Sequence, residues 1–496
     1  MQVALSIEPD DARTLQEQVF DQIRRMILSG LMRGGDPVPG SRALAEQLTV
    51  SRNTVTIAYD MLMSEGYLEI RPNIGTFVAR DLPDEALRLT QPGPSAPSCA
   101  PTPGGTLTER LVDSDFPVQA VRSPAARRLH TDFWVGRVDP DSLPLAEWRR
   151  IVDLKLRHGG GALSEYGPAE GLEALRAAIA DHLGPARGVA CTAAEVVITG
   201  GSQDGLMLIA RALQGLCRTF LHEDPGYQGA RFLFARSEMA CLPVPVDHDG
   251  LIVEALPHDI RNALLYVTPS HQFPTGVTLT LPRRLALLDW AERTDSLIVE
   301  DDYDGDFRHD GGPLTALRGL DRTGRVIYLG TFSKSLGPGL RAGFIVCPPA
   351  MAPVLARWKR LLSNGPPWLT QAALAEFMNS GAFQRHLRRI RTRYRARRDV
   401  LIEGIERHFP GSDIAGRRGG MHISWRLPDS GCAERLQKAA LMRGIGIYTM
   451  ADGGAWLSSD KGTHRDMLML GYAAVTEARI KSAIAALAEI DAGKDN

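Results

Sequence analysis

The sequence has almost no net charge, no paired-cysteine spacing, no long apolar run and, in its first 80 residues, no lysine. Each absence excludes something. Fifty-seven Lys and Arg face 58 Asp and Glu, a formal net charge of −1. No global field therefore pulls the chain toward nucleic acid, an anionic membrane or an acidic substrate, and any such affinity has to be local. The six cysteines, Cys99, Cys191, Cys217, Cys241, Cys347 and Cys432, never fall at Cys-x-x-Cys spacing. That argues against a disulfide framework and against a zinc site, and it fits a reducing cytoplasm. No uninterrupted apolar stretch approaches about 18 residues, and Met1 to Asp10 lack a basic segment followed by an apolar one, so neither membrane spanning nor secretion is expected. What is present is 496 residues with 44% hydrophobic content, enough for two or more globular domains.

The N-terminal stretch is organised by helix signals. Thr14-Leu15-Gln16-Glu17 forms a capping box, and Leu15, Val19, Ile23, Met26 and Ile27 recur behind it at helical spacing up to Gly30, which predicts an amphipathic helix over 14–29. Ser41 is expected to cap a second short helix, Arg42 to Leu48, and Ser51 a third that carries Val55, Ala58, Tyr59, Leu62 and Met63 and stops at Gly66. Two short helices across a tight turn make a helix-turn-helix. Tyr67–Ile70 and Gly75–Val78 read as two strands about a turn at Pro72-Asn73 and add a wing. The third helix opens with Ser51-Arg52-Asn53-Thr54, short hydrogen-bonding side chains and a guanidinium that can meet phosphates and base edges. A protein-binding winged helix is the alternative, and eight Arg against ten acidic residues in 1–80 is less basic than a DNA reader usually is.

The run Gly40-Ser41-Arg42-Ala43-Leu44-Ala45, then Val50-Ser51-Arg52-Asn53-Thr54-Val55, Glu65-Gly66-Tyr67-Leu68 and Gly75-Thr76-Phe77-Val78, resembles the winged helix-turn-helix of GntR regulators. The resemblance implies a double-stranded DNA operator as partner, with Arg42, Ser51, Arg52, Asn53 and Thr54 at the DNA and Gly75 letting the wing tip approach the minor groove. Pro39-Gly40, and Asn73-Ile74 in the wing, depart from the family pattern. The domain is placed at 10–80. Beyond it, Gln91-Pro92-Gly93-Pro94-Ser95 through Pro103-Gly104-Gly105 is rich in Pro, Gly and Ser, and a flexible linker is expected over 81–125.

From 126 to 490 the chain alternates between strand and helix patterns. Val196–Thr199, Arg218–Leu221, Leu264–Val267, Leu297–Glu300 and Val326–Leu329 are short continuous apolar runs, separated by helical patterns such as Gln203–Leu213 and Pro282–Arg293. Continuous hydrophobicity points to strands buried on both faces of a mostly parallel sheet, an α/β fold whose ligands bind at the strands' carboxyl ends. The polar clusters stand at those ends. Gly200-Gly201-Ser202-Gln203 can present backbone N–H groups to a phosphate or simply cap a helix. Asp224-Pro225-Gly226-Tyr227 offers a ring for stacking or a core tyrosine. Pro269-Ser270-His271-Gln272-Phe273-Pro274-Thr275-Gly276 supplies neutral hydrogen-bonding groups. Glu300-Asp301-Asp302-Tyr303-Asp304 crowds carboxylates after a buried strand; Asp301 suits a protonated pyridine nitrogen. Metal binding is its rival, ranked lower because no companion histidine stands at ligand spacing. Finally Thr331-Phe332-Ser333-Lys334-Ser335, followed by Arg341, sets one lysine among hydroxyls and a guanidinium, as a Schiff-base lysine and a phosphate require.

In this order these clusters resemble the aminotransferase-like domain of type I pyridoxal phosphate proteins, and with the winged module in front the whole chain looks like a MocR-type member of the GntR regulators. The resemblance implies pyridoxal 5′-phosphate as cofactor, aldimine formation at Lys334, Asp301 on the pyridine nitrogen, Tyr303 on the ring hydroxyl and Tyr227 stacked on the ring. Gly201, Ser202, Thr331, Ser333 and Arg341 are implied at the phosphate. Phe273 stands where aminotransferases usually place asparagine, so the second ring-hydroxyl contact passes to His271 or Gln272. A late arginine that binds an acid group is assigned to Arg465, with Arg417, Arg418 and Arg443 as competitors. The eight arginines Arg385 to Arg398 read as a solvated helix face paired with acids, or as an auxiliary DNA surface. A homodimeric regulator sensing pyridoxal phosphate or a small amino compound (related regulators respond to pyridoxal phosphate, γ-aminobutyrate or taurine) is the reading preferred. An active aminotransferase carrying a DNA-binding module, and a purely structural cofactor, are the alternatives.

Overall fold

The computed structural model describes residues 5–7, 13–72, 74–80, 82, 129–427, 432–458, 464 and 466–492. The chain divides into two compact units, Met1–Pro117 and Val118–Asn496. Apart from Leu82, the stretch 81–125 lies outside the described residues, as does Asn73 of the wing.

In the first unit, helix α1 (Leu15–Leu28) starts at the Thr14 capping box, with Thr14 N–H donating to Glu17 Oε2 at 2.8 Å. Helix α3 (Arg52–Ser64) starts at Ser51, whose hydroxyl accepts from Thr54 N–H at 3.1 Å. Between them α2 (Ser41–Leu48) departs from expectation: Ser41 is itself helical, Gly40 is the N-cap, and the Ser41 hydroxyl accepts instead from Arg52 Nε at 3.4 Å. Val19, Ile23 and Ile27 of α1, Leu44 of α2 and Val55, Ala58 and Leu62 of α3 close a common core. Strands β1 (Leu68–Arg71) and β2 (Gly75–Val78) pair antiparallel from Leu68↔Val78 to Arg71↔Gly75.

The second unit is built on an eight-stranded sheet. In chain order its strands are β3 (Val196–Thr199), β4 (Thr219–Asp224), β5 (Ala240–Asp247), β6 (Gly250–Leu251), β7 (Ala263–Val267), β8 (Leu297–Asp302), β9 (Val326–Thr331) and β10 (Gly343–Val346). They lie in the order β3-β10-β9-β8-β7-β4-β5-β6, with only β10 and β6 antiparallel to their neighbours. Every residue of β3, β7 and β10 is buried, which is why those strands read as unbroken apolar runs. Helices α4 (Leu145–His158), α5 (Gly160–Ser164), α6 (Glu173–Arg187), α7 (Ser202–Leu213), α8 (Leu281–Arg293) and α9 (Ala352–Ser363) accompany the sheet. A four-stranded antiparallel sheet follows, in which β12 (His422–Arg426) lies between β11 (Asp413–Ala415) and β14 (Met467–Gly471), with β13 (Tyr448–Thr449) on the far side of β14.

The long helix α10 (Ala382–His408), which packs against α11 (Glu477–Ala492), carries the arginine run. The expected solvated face holds for part of it only. Arg397 and Arg398 are buried, Arg397 against Asp139 at 3.0 Å and Arg398 against Asp310 at 2.6 Å, while Arg393 also reaches Asp139 at 2.9 Å. The acids come from distant loops, so local spacing could not reveal that two of these cations are core groups.

Candidate functional site

Strands β3, β4, β7, β8 and β9 all end on one edge, and the clusters noted in the sequence meet there. Lys334 follows β9 and turns back under the site, where its ammonium group donates to Gly136 O at 3.3 Å. Gly136 is a residue that spacing alone did not flag. It sits at φ +81°, a conformation that favours glycine, and a Cβ there would come within 2.2 Å of Lys334 Nζ and push the lysine tip aside. Burial pushes the Lys334 ammonium below the usual lysine range, against the pull of Asp304 and Asp301.

Asp301, on the end of β8, accepts from Tyr266 OH through Oδ2 at 2.8 Å, while Oδ1 is buried with no partner among the described residues. Burial pushes its pKa up to about 7, opposed by the Tyr266 bond and raised further by Asp302. Glu223, at the end of β4, is likewise pushed up to about 7 by burial, against hydrogen bonds from Thr268 and Gln272. Both groups hold protons in the folded chain at pH values where the unfolded chain is ionised. Their contribution to stability is therefore present below the ordinary carboxylate range and is lost as pH rises through about 7. The cofactor-free protein should unfold at lower temperature at pH 7.5 than at pH 5. In Asp301→Asn that decline should be visibly shallower; parallel pH profiles for the two proteins would refute the assignment to Asp301.

Phe273 lies edge-on between Tyr227 and Tyr303, with ring centroids 5.8 and 6.2 Å away. Gln272 is unavailable as a ring-hydroxyl partner: its amide donates to Glu223, Pro225 O and Phe273 O, and its carbonyl accepts from Thr275. His271 also turns away, setting Nδ1 against Asp304 Oδ2 at 2.8 Å and Tyr303 OH at 3.2 Å. Its Nε2 is buried with no partner among the described residues.

The groups expected at a phosphate gather around the start of α7. Gly201 takes φ +107°, and a Cβ on it would lie 3.4 Å from Arg341 Nη1. Ser202 is the first residue of the helix, where backbone N–H groups have no intrahelical acceptor. Asp204 braces this turn, accepting from Gly200 N–H at 2.7 Å and pairing with Lys359 at 2.5 Å. Thr331 pairs with Gly343 across β9 and β10, and its hydroxyl lies 2.9 Å from Ser333 Oγ. Free helix N–H groups, two hydroxyls and one guanidinium are the chemistry of a phosphate-monoester site.

Arg465 lies outside the described residues. Of its competitors, Arg417 pairs with Glu406 at 2.6 Å and Arg443 with Glu489 at 3.0 Å, whereas Arg418 has no carboxylate partner among the described residues. The sequence also offered no sign that histidines would stand beside the acidic cluster. The fold brings one ligand-capable atom each from His271, Asp304 and His422 within 4.8 Å of one another. Two ligands of a tetrahedral ion at about 2.1 Å stand roughly 3.4 Å apart. The Asp304–His271 separation of 2.8 Å is that of a hydrogen bond.

On the first unit, Arg52 and Asn53 are exposed, and Arg42 lies across the groove between α2 and α3, paired with Glu46 at 3.3 Å. Ser51 and Thr54 are turned to each other in the cap, with hydroxyls 2.8 Å apart. Gly75 stands at φ +141° at the wing tip.

Residues 139–487 match the aminotransferase class I and II family, and residues 15–78 match the bacterial regulatory proteins of the gntR family. The chain is 35% identical over 453 residues to the probable rhizopine catabolism regulatory protein MocR of Rhizobium meliloti, covering 90% of this chain and 88% of that one. It is 35% identical over 425 residues to the pyridoxine biosynthesis transcriptional regulator PdxR of Corynebacterium glutamicum, covering 84% of each. Among solved structures, LysN, an alpha-aminoadipate aminotransferase from Thermus thermophilus complexed with N-(5′-phosphopyridoxyl)-L-leucine, superposes with a TM-score of 0.66 at 29% identity, over 75% of this chain and 95% of that one.

Proposed function

The chain belongs to the MocR-type regulators of the gntR family, with a helix-turn-helix unit ahead of a class I and II aminotransferase domain, and from that membership we propose how its second unit senses a ligand. It is a DNA-binding transcription regulator. Its cofactor is pyridoxal 5′-phosphate, which supplies an aldehyde that condenses reversibly with amines.

The observation that carries this reading is a half-buried lysine under the charge of Asp301, whose buried Oδ1 has no partner among the described residues. A pyridine N–H would satisfy that oxygen and keep Asp301 ionised. Lys334 binds the aldehyde, Tyr227 covers the ring, and Tyr303 faces the ring hydroxyl. Gly201, Ser202, Thr331, Ser333 and Arg341 hold the phosphate. His271 acts behind Tyr303, and Arg465 takes the acid group of an amino-compound effector. Pyridoxal phosphate itself or an amine that displaces Lys334 is the signal, and closure of the second unit shifts the DNA-competent population. A cytoplasmic homodimer is the working assembly. Leu154, Leu156, Leu163, Tyr166, Leu361 and Leu362 are exposed large apolar groups that a second copy would cover.

Pyridoxal phosphate added to the full-length chain should give a visible band, and γ-aminobutyrate, taurine or another amine should change both that band and DNA affinity. Absence of the band would sink the reading. On the DNA side, Arg52→Ala should weaken binding to duplex DNA about tenfold and reduce the salt slope by about one. Unchanged affinity in Arg52→Ala and Arg42→Ala would mean that DNA is met by another surface.

A further inference from the structure

Beside the Lys334 site lies a buried polar cluster that the proposed function leaves without a task. Asp304 and His271 are almost wholly buried, with 3% and 4% of their surface exposed. Asp304 Oδ2 can only accept, so the 2.8 Å contact puts the proton on His271 Nδ1. The same Nδ1 lies 3.2 Å from Tyr303 OH.

The slot around this imidazole is made of backbone. A Cβ on Gly276 or Gly416 would come within 3.1 or 3.2 Å of His271 Nε2, and one on Gly420 would overlap the ring at 2.1 Å. All three glycines have positive φ, +77°, +78° and +77°. The ring is thus held in one orientation, Nδ1 toward Asp304 and Tyr303, by a shape that other residues would fill. His422 packs on it with centroids 4.6 Å apart, and His422 Nε2 donates to Pro274 O at 3.1 Å.

We propose that Asp304 and His271 are positioning residues for Tyr303, the Asp304 carboxylate keeping the phenol protonated and the His271 N–H orienting it, so that it presents a hydroxyl donor to the ring oxygen of the cofactor. The inference rests on the assignment of Tyr303 to that oxygen. Phe273, beside Tyr303, has no polar group to offer in its place. The charged or titratable groups around Tyr303 are Asp304, Asp301, Glu223 and His271. Burial first, then the Asp304, Asp301 and Glu223 carboxylates, and a hydrogen bond from the phenol to Asp304 hold it well above the usual tyrosine range, so the hydroxyl proton rests on Asp304 until a ring oxygen is there to accept it. A protonated phenol is a donor, and an N–H against its oxygen fixes which way it points.

The consequence can be read optically. A donor on the ring oxygen takes up part of its negative charge, so the neighbouring nitrogen of the Lys334 linkage gives up its proton more readily. Losing the donor raises the midpoint of the visible-band pH titration. With full-length protein loaded with pyridoxal phosphate, Tyr303→Phe should move that midpoint up by about one pH unit. His271→Gln and Asp304→Asn should each move it up by about half that or more. His271→Asn, whose amide nitrogen occupies the place of Nδ1, should leave it nearly unmoved. His271→Gln placed on Tyr303→Phe should add nothing.

A packing role for His271 would make Gln and Asn alike, or favour the larger Gln; that pattern overturns the proposal. So does a Tyr303→Phe shift that neither His271→Gln nor Asp304→Asn reproduces. No shift in Tyr303→Phe at all would instead show that Tyr303 does not meet the ring oxygen, and the proposal falls with that assignment.

Discussion

Lys334→Ala should keep its fold and basal DNA affinity but lose the visible band of bound pyridoxal phosphate and every amine-dependent change in DNA binding. The fold survives because the ammonium makes one 3.3 Å bond, to Gly136 O, and sits where burial disfavours its charge. Removing it relieves a desolvated cation more than it breaks a contact. The band is lost because the amine beside Asp301 is gone, and two other lysines of the unit are already engaged. Lys359 is buried and paired with Asp204 at 2.5 Å, and Lys155 is paired with Glu376 at 2.9 Å. Asp301 and the anion-holding groups around Gly201 remain, so the variant should still take up the cofactor non-covalently. Absorbance, mass spectrometry after borohydride reduction and fluorescence anisotropy on duplex DNA check the three parts. A visible band that persists in Lys334→Ala would remove the lysine from its role. Turnover of amino donor with keto acid by the wild-type chain would move the protein from sensor toward enzyme.

The strand-end clusters were legible because each is local. A strand's last apolar residue and the polar residues after it are neighbours in sequence, and a parallel sheet delivers all such neighbours to one edge. Lys334, Asp301, Tyr227 and Gly201 follow from the residues in that way, whereas Tyr303 follows from the family resemblance. The partners of those groups were not legible. Tyr266 reaches Asp301 across 35 positions, His271 reaches Asp304 across 33, and Arg187 reaches Asp302 across 115. No spacing rule selects one buried tyrosine or arginine among many. Gly136 is the same case from the other side: its carbonyl accepts from a lysine 198 positions away. Ser41 failed for a smaller reason. It stands where a cap should, yet its hydroxyl is engaged by Arg52 and the helix starts one residue early.

Arg187 shows how much of the site depends on such an unseen partner, and its replacement should be the most destabilising single change in the second unit. The guanidinium at the end of α6 meets Asp302 twice, Nε to Oδ2 at 2.6 Å and Nη2 to Oδ1 at 2.9 Å, and also donates to Ser270 Oγ at 2.5 Å and Leu314 O at 2.8 Å. Tyr328 OH completes the carboxylate at 2.6 Å. Burial works against the charge on Arg187, and the Asp302 carboxylate more than offsets it. The pair itself is weak evidence of net stability, but breaking it leaves Asp302 charged, buried and short of partners, which is worth about 3–5 kcal/mol. Arg187→Met should therefore lower the unfolding temperature by roughly 4–6 °C. Arg187→Met with Asp302→Asn should recover a good part of that, because the orphaned charge and not the missing contact carries most of the effect. Asp301 and Asp302 are successive on β8 and face opposite ways, so this pair anchors from behind the strand that carries Asp301. Arg187→Met should weaken pyridoxal phosphate uptake as well as stability, whereas the double variant should regain both together. A loss below about 1 kcal/mol in Arg187→Met, by urea titration, would show that solvent reaches Asp302.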